Sequence, residues 1–247
     1  LWWAVAFSPL LQLASLVVVF WAAQPLLAGD GRFRLLLLFW GQSGIWSYFA
    51  LARPDHHSLL LFLFLIFLGW AVRMILHPGR SGAACGAGAA VALAMWVSVE
   101  TLAVVAIAWL TLGLLCLRRP QHTWLYSRQG AIFSLALLGA AALALFIERG
   151  WEALLVVEFD KLSVAQLAIF AWGSALWLFL WLYPGKGRWQ NLVVTAAFAL
   201  GGGLAAWLWC PDLLRGPFAA IDKRIIPIWL AQVREVQALR HLPAVGV

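Results

Sequence analysis

Residues 82–117 read GAACGAGAAVALAMWVSVETLAVVAIAWLTLGLLCL, an apolar stretch with a single charge, and whether it forms one helix or two decides the topology of the whole chain. As one helix it would run roughly 54 Å, against a bilayer hydrocarbon core of roughly 30 Å. The polar interruption within Trp96-Val97-Ser98-Val99-Glu100 divides it into 82–98 and 101–117, each close to membrane length. The spacing therefore predicts a helical hairpin turning at these residues.

The rest of the chain has the same character. Of its 247 residues 64% are hydrophobic and only 11% charged, with a mean hydropathy of +0.91. A soluble domain of this length has no core large enough for so much apolar surface, whereas a bilayer solvates it directly. The apolar runs are continuous and do not alternate with period two, which selects helices over barrel strands. Runs at 1–28, 35–51, 58–76, 82–98, 101–117, 131–147, 163–182 and 189–209 predict an all-α, polytopic transmembrane bundle of about eight helices. Residues 1–209 then form the helical core, and 210–247 an extracytoplasmic tail or re-entrant segment. The sequence opens at Leu1 already inside an apolar run, which reads as a piece of a longer protein.

Charge tests the hairpin independently. With alternating helices, one side of the membrane receives Arg32, Arg34, Arg73, Arg80, Arg118, Arg119, Arg128, Lys186 and Arg188, nine of the 17 basic residues, with one acid, Asp30. The other side receives the remaining eight basic residues and nine acids. Basic loops mark the cytoplasmic face, so the first side is cytoplasmic. A single helix over 82–117 would place the basic loops at 77–81 and 118–130 on opposite faces and abolish the asymmetry. The net charge of +7 is thereby explained by topology, and no nucleic-acid partner is implied. The 17 tryptophans fit the same frame: Trp70, Trp124, Trp151, Trp189 and Trp209 fall near run ends, where indole prefers the interface. Three scattered cysteines form no disulfide framework, and Cys85 and Cys116 read as packing residues.

The predicted extracytoplasmic side gathers the residues that can do chemistry. Arg53-Pro54-Asp55-His56-His57 separates two apolar runs. Proline restricts Arg53 to extended geometry and favours an extended or turning backbone before a helix at 58–76. In that geometry Asp55 and His57 share a side, an oxygen-and-nitrogen donor set suited to Mn²⁺, Mg²⁺ or Zn²⁺. The alternative is that Asp55 or Ser58 caps the helix and the histidines lie wetted at the interface. Glu100, at the hairpin tip, is a candidate third ligand or general base, or a solvated acid. Glu148, Arg149, Glu152, Glu158, Asp160 and Lys161 mix both signs and read as a hydrated loop. In the tail, residues 227–237 make a short amphipathic segment containing Glu235. The sequence carries no phosphate-cradling glycine loop, nucleotide fingerprint, G-x-S-x-G elbow, H-E-x-x-H pair or CxxC, which argues against ATP chemistry. Gly201-Gly202-Gly203 reads as a site of close helix approach.

Arg53-Pro54-Asp55-His56-His57-Ser58-Leu59, then Ser98-Val99-Glu100-Thr101-Leu102, then Ala231-Gln232-Val233-Arg234-Glu235-Val236-Gln237 occur in an order that resembles bacterial type C glycosyltransferases related to the catalytic subunit of oligosaccharyltransferase, especially its archaeal form. The resemblance implies a type C core that transfers a sugar from a polyprenyl-(pyro)phosphate carrier on the extracytoplasmic face of the bacterial inner membrane, with Mn²⁺ or Mg²⁺ as cofactor. Asp55 and His57 match the family's second metal-binding motif, and Glu235 matches the Glu of its long re-entrant loop. Arg53 is placed to pair with the donor phosphate. The implied catalytic set is Asp55, Glu235 and Glu100. The family's first acidic motif and its Trp-Trp-Asp motif do not occur in this sequence, so a catalytic Asp is missing or lies upstream of Leu1, and the acceptor stays unassigned.

Two other readings fit the composition. A non-catalytic membrane subunit within a larger complex would use Asp55 and the histidines structurally. A transporter would carry its ionisable residues within the spans, whereas here nearly all charges lie at run ends.

Overall fold

The computed structural model describes residues 2–49, 56–151, 156–183 and 187–209, and every regular element among them is helical. The helices are α1 (Trp2–Ala23), α2 (Asp30–Trp40), α3 (Ser43–Tyr48), α4 (His56–Leu76), α5 (Ser81–Val97), α6 (Leu102–Arg118), α7 (Thr123–Arg149), α8 (Val164–Leu182) and α9 (Arg188–Trp209). Five segments are long and apolar enough to cross a membrane: Val5–Ala23, His56–Leu76, Val99–Arg118, Pro120–Arg149 and Val164–Leu182, with Ser81–Val97 a shorter apolar helix beside them. The chain is an integral membrane protein. It divides into two compact units, Leu1–Gly202 and Gly203–Val247. Of the second, residues 203–209 are described, as the final part of α9.

The stretch 82–117 is broken as its length requires. Ser98 is extended (φ −155°, ψ 133°), and its hydroxyl accepts the backbone N–H of Glu100 at 3.3 Å. A short side chain that competes for backbone partners ends α5 here, and a single 3-10 turn, Val99–Thr101, leads into α6.

Cross-helix contacts give the directions. Ser8 Oγ lies 3.4 Å from Ser58 Oγ near the starts of α1 and α4, and Arg73 donates to the Trp21 carbonyl at 2.6 Å near their ends, so these two helices are parallel. Near the starts of α5 and α7, Gln129 Nε2 donates to the Arg80 carbonyl at 3.4 Å. Near their ends the Trp96 indole donates to Glu148 at 2.6 Å, so this pair is parallel too. Cys116 against Ser127 (3.8 Å) and Trp109 Nε1 to Ser134 Oγ (2.9 Å) run α6 antiparallel to α7. The chain therefore reverses between α5 and α6, and the predicted hairpin is present.

Helix α7 is central, with Phe133, Leu137, Ala141 and Leu145 fully buried. Lipid tails are as apolar as these side chains, so association rests on close van der Waals packing and interhelical hydrogen bonds. Small residues make that packing possible. On α5, Gly88 meets the backbone of α7 so closely that an added Cβ would stand 2.9 Å from Leu137 N. Elsewhere tryptophan rings lie on glycines: Trp21 on Gly69, Trp70 on Gly86, Trp177 on Gly130 and Trp109 on Gly173. Trp70, expected at the interface, is half-buried and packs against the core, edge-on to Trp21 at 5.0 Å. Trp124, Trp151 and Trp189 are exposed as expected. Cys116 is buried, whereas Cys85 is exposed and plays no part in the core.

Because α1 and α4 are parallel, residues 24–55 must return the chain to its starting side. The run 35–51, expected as one span, is divided into α2 and α3, with no buried residue in either. The cause is local: Gly41-Gln42-Ser43-Gly44 interrupts the apolar sequence, and the Gly41 N–H closes α2 on Leu37 O at 2.8 Å. The Trp46 indole then donates back to the Trp40 carbonyl across the bend.

One end of the bundle holds Arg32, Arg73, Arg80, Arg118, Arg119 and Arg128. The opposite end holds His56, His57, Glu100, Glu148, Arg149, Glu158, Asp160 and Lys161. Among the described residues the charges segregate as the charge parity predicts, with Asp30 the acid of the basic end; Asp55, Glu152, Lys186 and the charges of 210–247 lie outside them.

Candidate functional site

At the acid-rich end, α3, α4, α5 and the start of α6 line an open cavity of about 310 Å³. Its body is apolar, lined by Leu60, Leu61, Phe64 and Phe67 of α4, Val91 and Ala94 of α5, and Val104 of α6. Its polar lining is Tyr48, His57, Glu100 and Thr101. Phe67 lies ten residues beyond His57, so the cavity follows α4 for roughly 15 Å. The wall is almost wholly hydrocarbon along its length, with the few hydrogen-bonding groups gathered at one end.

Each polar group is held there by a local cause. Helix α4 begins at His56, two residues earlier than the predicted 58, so His56 and His57 occupy its first turn. This corrects the expected extended backbone at these two positions: their backbone groups enter the helical ladder. The His57 ring meets Tyr48 edge-on at 5.8 Å and lies 4.1 Å from the His56 ring. The adjacent Ser58 is fully buried, and its contact with Ser8 fixes the rotation of α4 against α1. Glu100 is carried by the 3-10 turn, where Thr101 N also donates to the Ser98 carbonyl at 3.3 Å. Folding thus brings His57 and Glu100, 43 positions apart in sequence, to one cavity. Tyr48 and Thr101 were not among the expected site residues. Thr101 was signalled by its neighbour Glu100, but Tyr48 had no sequence signal, because its place depends on the bend at residues 41–44.

Arg53, Asp55 and Glu235 lie outside the described residues. Among the described residues no group of three or more His, Cys, Asp and Glu side chains gathers as a metal site. His57 and Glu100 offer one nitrogen donor and one carboxylate on the same cavity. That set is chemically suited to a hard or borderline divalent ion, and further ligands would come from elsewhere, with Asp55 two positions before His57 in the chain.

At the same end of the bundle, the α7–α8 connection is held by ionic and capping contacts. Arg149 pairs with Glu158, and its Nε lies 3.5 Å from Glu148 Oε1. The hydrogen bond from Arg149 holds the Glu158 carboxyl below the usual carboxylate range. Glu158 N donates to Ser163 Oγ at 3.1 Å, and Ser163 with Gln166 forms a capping box at the start of α8. In its described part the loop is hydrated as expected at Glu148, Asp160 and Lys161, and Arg149, Glu158 and Ser163 add bonds within it.

The fold defines an all-helical integral membrane protein, with an open and largely apolar cavity at its acid-rich end. No family model matches the chain, and no curated protein or solved structure matches it.

Proposed function

We propose that the chain is the helical core of a type C membrane glycosyltransferase, taking a sugar from a polyprenyl-(pyro)phosphate carrier at the extracytoplasmic face of a bacterial inner membrane. The observation that carries this reading is the cavity that joins His57 and Glu100 to a wall of leucine, phenylalanine and valine. Such a chamber suits an amphiphile whose polar head reacts while its hydrocarbon stays at membrane depth. The basic end of the bundle then faces the cytoplasm. About eight crossings follow if α2 with α3 acts as one interrupted crossing and α5 and α9 also span.

The roles follow from chemistry. His57, with Asp55, would hold a divalent ion, which when bound supplies positive charge to the phosphate released from the sugar. Arg53 pairs with the donor phosphate. Glu100 takes the proton of the acceptor nucleophile as the bond from that atom to the anomeric carbon forms and the glycosyl–phosphate bond breaks, leaving the phosphate on its lipid. Glu235 joins this set through its sequence match alone.

The test is sugar transfer from a radiolabelled polyprenyl-phosphate sugar by the full-length protein in proteoliposomes. Asp55→Ala, His57→Ala and Glu100→Gln should each lower the rate by tenfold or more, a barrier increase of roughly 1.4 kcal/mol. Wild-type rates in all three would remove these residues from the mechanism, and absence of transfer by the unsubstituted protein would refute the reading in favour of a non-catalytic subunit.

A further inference from the structure

We infer that Glu148 is a positioning residue that fixes Glu100 at the cavity; the inference rests on the glycosyltransferase reading of that cavity. Glu100 sits in a single 3-10 turn whose own bonds are local, to Ser98. Its carboxylate makes no ion pair among the described residues. The position of the turn is set by the packing of Val99 and Thr101 against the core and by the helix ends that flank it. Two residues before Ser98, the Trp96 indole N–H donates to Glu148 Oε2 at 2.6 Å, across 52 positions of sequence. The other oxygen, Oε1, faces Arg149 Nε at 3.5 Å, and Arg149 reaches on to Glu158. Glu158 is bonded in turn to Ser163 at the start of α8. One carboxylate thus ties the last turn of α5, four residues before Glu100, to the end of α7 and, through Arg149 and Glu158, to the start of α8.

The location of Glu148 supports this role. It lies in the last turn of α7, where the exposed carbonyls of the helix disfavour a negative charge. A carboxylate there needs compensation, and Trp96 and Arg149 supply it, one to each oxygen. Releasing the indole frees the end of α5, and the Ser98–Thr101 turn moves with it.

The test reads the turn and the reaction separately in the full chain. Cys85, Cys116 and Cys210 are replaced by alanine, Glu100→Cys is introduced, and its labelling by a membrane-impermeant maleimide is timed in proteoliposomes. Glu148→Ala and Trp96→Phe should each change the labelling rate at least threefold, and the double variant no more than either alone. Glu148→Gln, whose amide oxygen still accepts from the indole, should restore a rate within twofold of the parent. With Glu100 intact, Glu148→Ala should lower kcat at least tenfold while KM for the lipid-linked donor stays within twofold. Unchanged labelling in Glu148→Ala, no rescue by Glu148→Gln, or altered labelling with full kcat each overturns the inference. Absence of transfer by the unsubstituted protein, or full transfer by Glu100→Gln, instead overturns the reading of the cavity, and the labelling rates still decide whether Glu148 holds the turn.

Discussion

Gly88→Ala is the sharpest test of how the bundle is assembled. Built on the existing backbone, the new methyl would lie 2.9 Å from Leu137 N and 3.0 Å from Ala136 Cβ, and closer still to the Phe133 carbonyl oxygen. Two of these are backbone atoms of α7 and cannot rotate away. Ordinary carbon contacts lie at roughly 3.5–4.0 Å, so α5 must recede from α7 by on the order of 0.5–1 Å. Overpacking of this kind costs about 1–3 kcal/mol. For a chain of this size that corresponds to a fall in Tm of about 2–10 °C. The recession also carries Val91 and Ala94 toward α4, narrowing the cavity they line, so KM for a lipid-linked donor should rise. Thermal unfolding in detergent micelles measures the first effect. The control is Gly139→Ala on α7, where an added Cβ meets nothing within 4 Å and helix propensity favours alanine by up to about 1 kcal/mol. A Gly88→Ala protein with wild-type Tm, or a Gly139→Ala protein destabilised as much as Gly88→Ala, would refute the close α5–α7 contact.

The topology predicts that Gln121→Cys, exposed between α6 and α7, is labelled from the cytoplasmic side, and Asp160→Cys from the opposite side; the reverse pattern in sealed vesicles sinks both the orientation and the placement of the cavity. Because Arg149 holds the Glu158 carboxyl below its usual range, the stability from this pair is complete above the unfolded carboxylate pKa of roughly 4 and is lost as pH falls through the lowered folded value. Glu158→Gln should therefore lower Tm near neutrality and flatten its acid limb, and an unchanged acid limb contradicts the pairing. His57→Ala and Asp55→Ala should each reduce Mn²⁺ content of the purified protein by tenfold or more, since a sparse site loses affinity steeply with one ligand; equal metal content in both variants removes the divalent site from the proposal.

Much of this architecture was legible in the chain. Composition required a membrane, because 64% apolar residues exceed what a soluble core of this size holds. The length of 82–117 required a break, and Ser98-Val99-Glu100 was the place where polar side chains could satisfy an interrupted helix. Charge asymmetry then favoured a hairpin over one long helix in this stretch, since a miscounted helix inverts every loop after it. These properties are linear: they depend on run length, local competition for hydrogen bonds and the sign of each loop. The break at 41–44 was also written in Gly41-Gln42-Ser43-Gly44, but it was outweighed by the apolar residues around it.

What the sequence could not determine was which helix faces touch. The runs are apolar on nearly every side, so no amphipathic stripe marks the interior, and only packing in three dimensions separates a lipid-facing leucine from a buried one. Trp70 illustrates this: near a run end it reads as an interface anchor, yet a glycine on α5 opens a place for its ring against the core. The same is true of the cavity. His57 and Glu100 were visible as separate polar interruptions, but bringing them together with Tyr48 requires α4 to run antiparallel to α5 and the bend after α2 to return the chain to the acid-rich end. The Trp96–Glu148 bond likewise spans 52 positions and has no sequence signature. A hydrogen bond between distant residues depends on the relative placement of two helices, and that placement is decided by glycines and tryptophans whose fit exists only in the folded bundle.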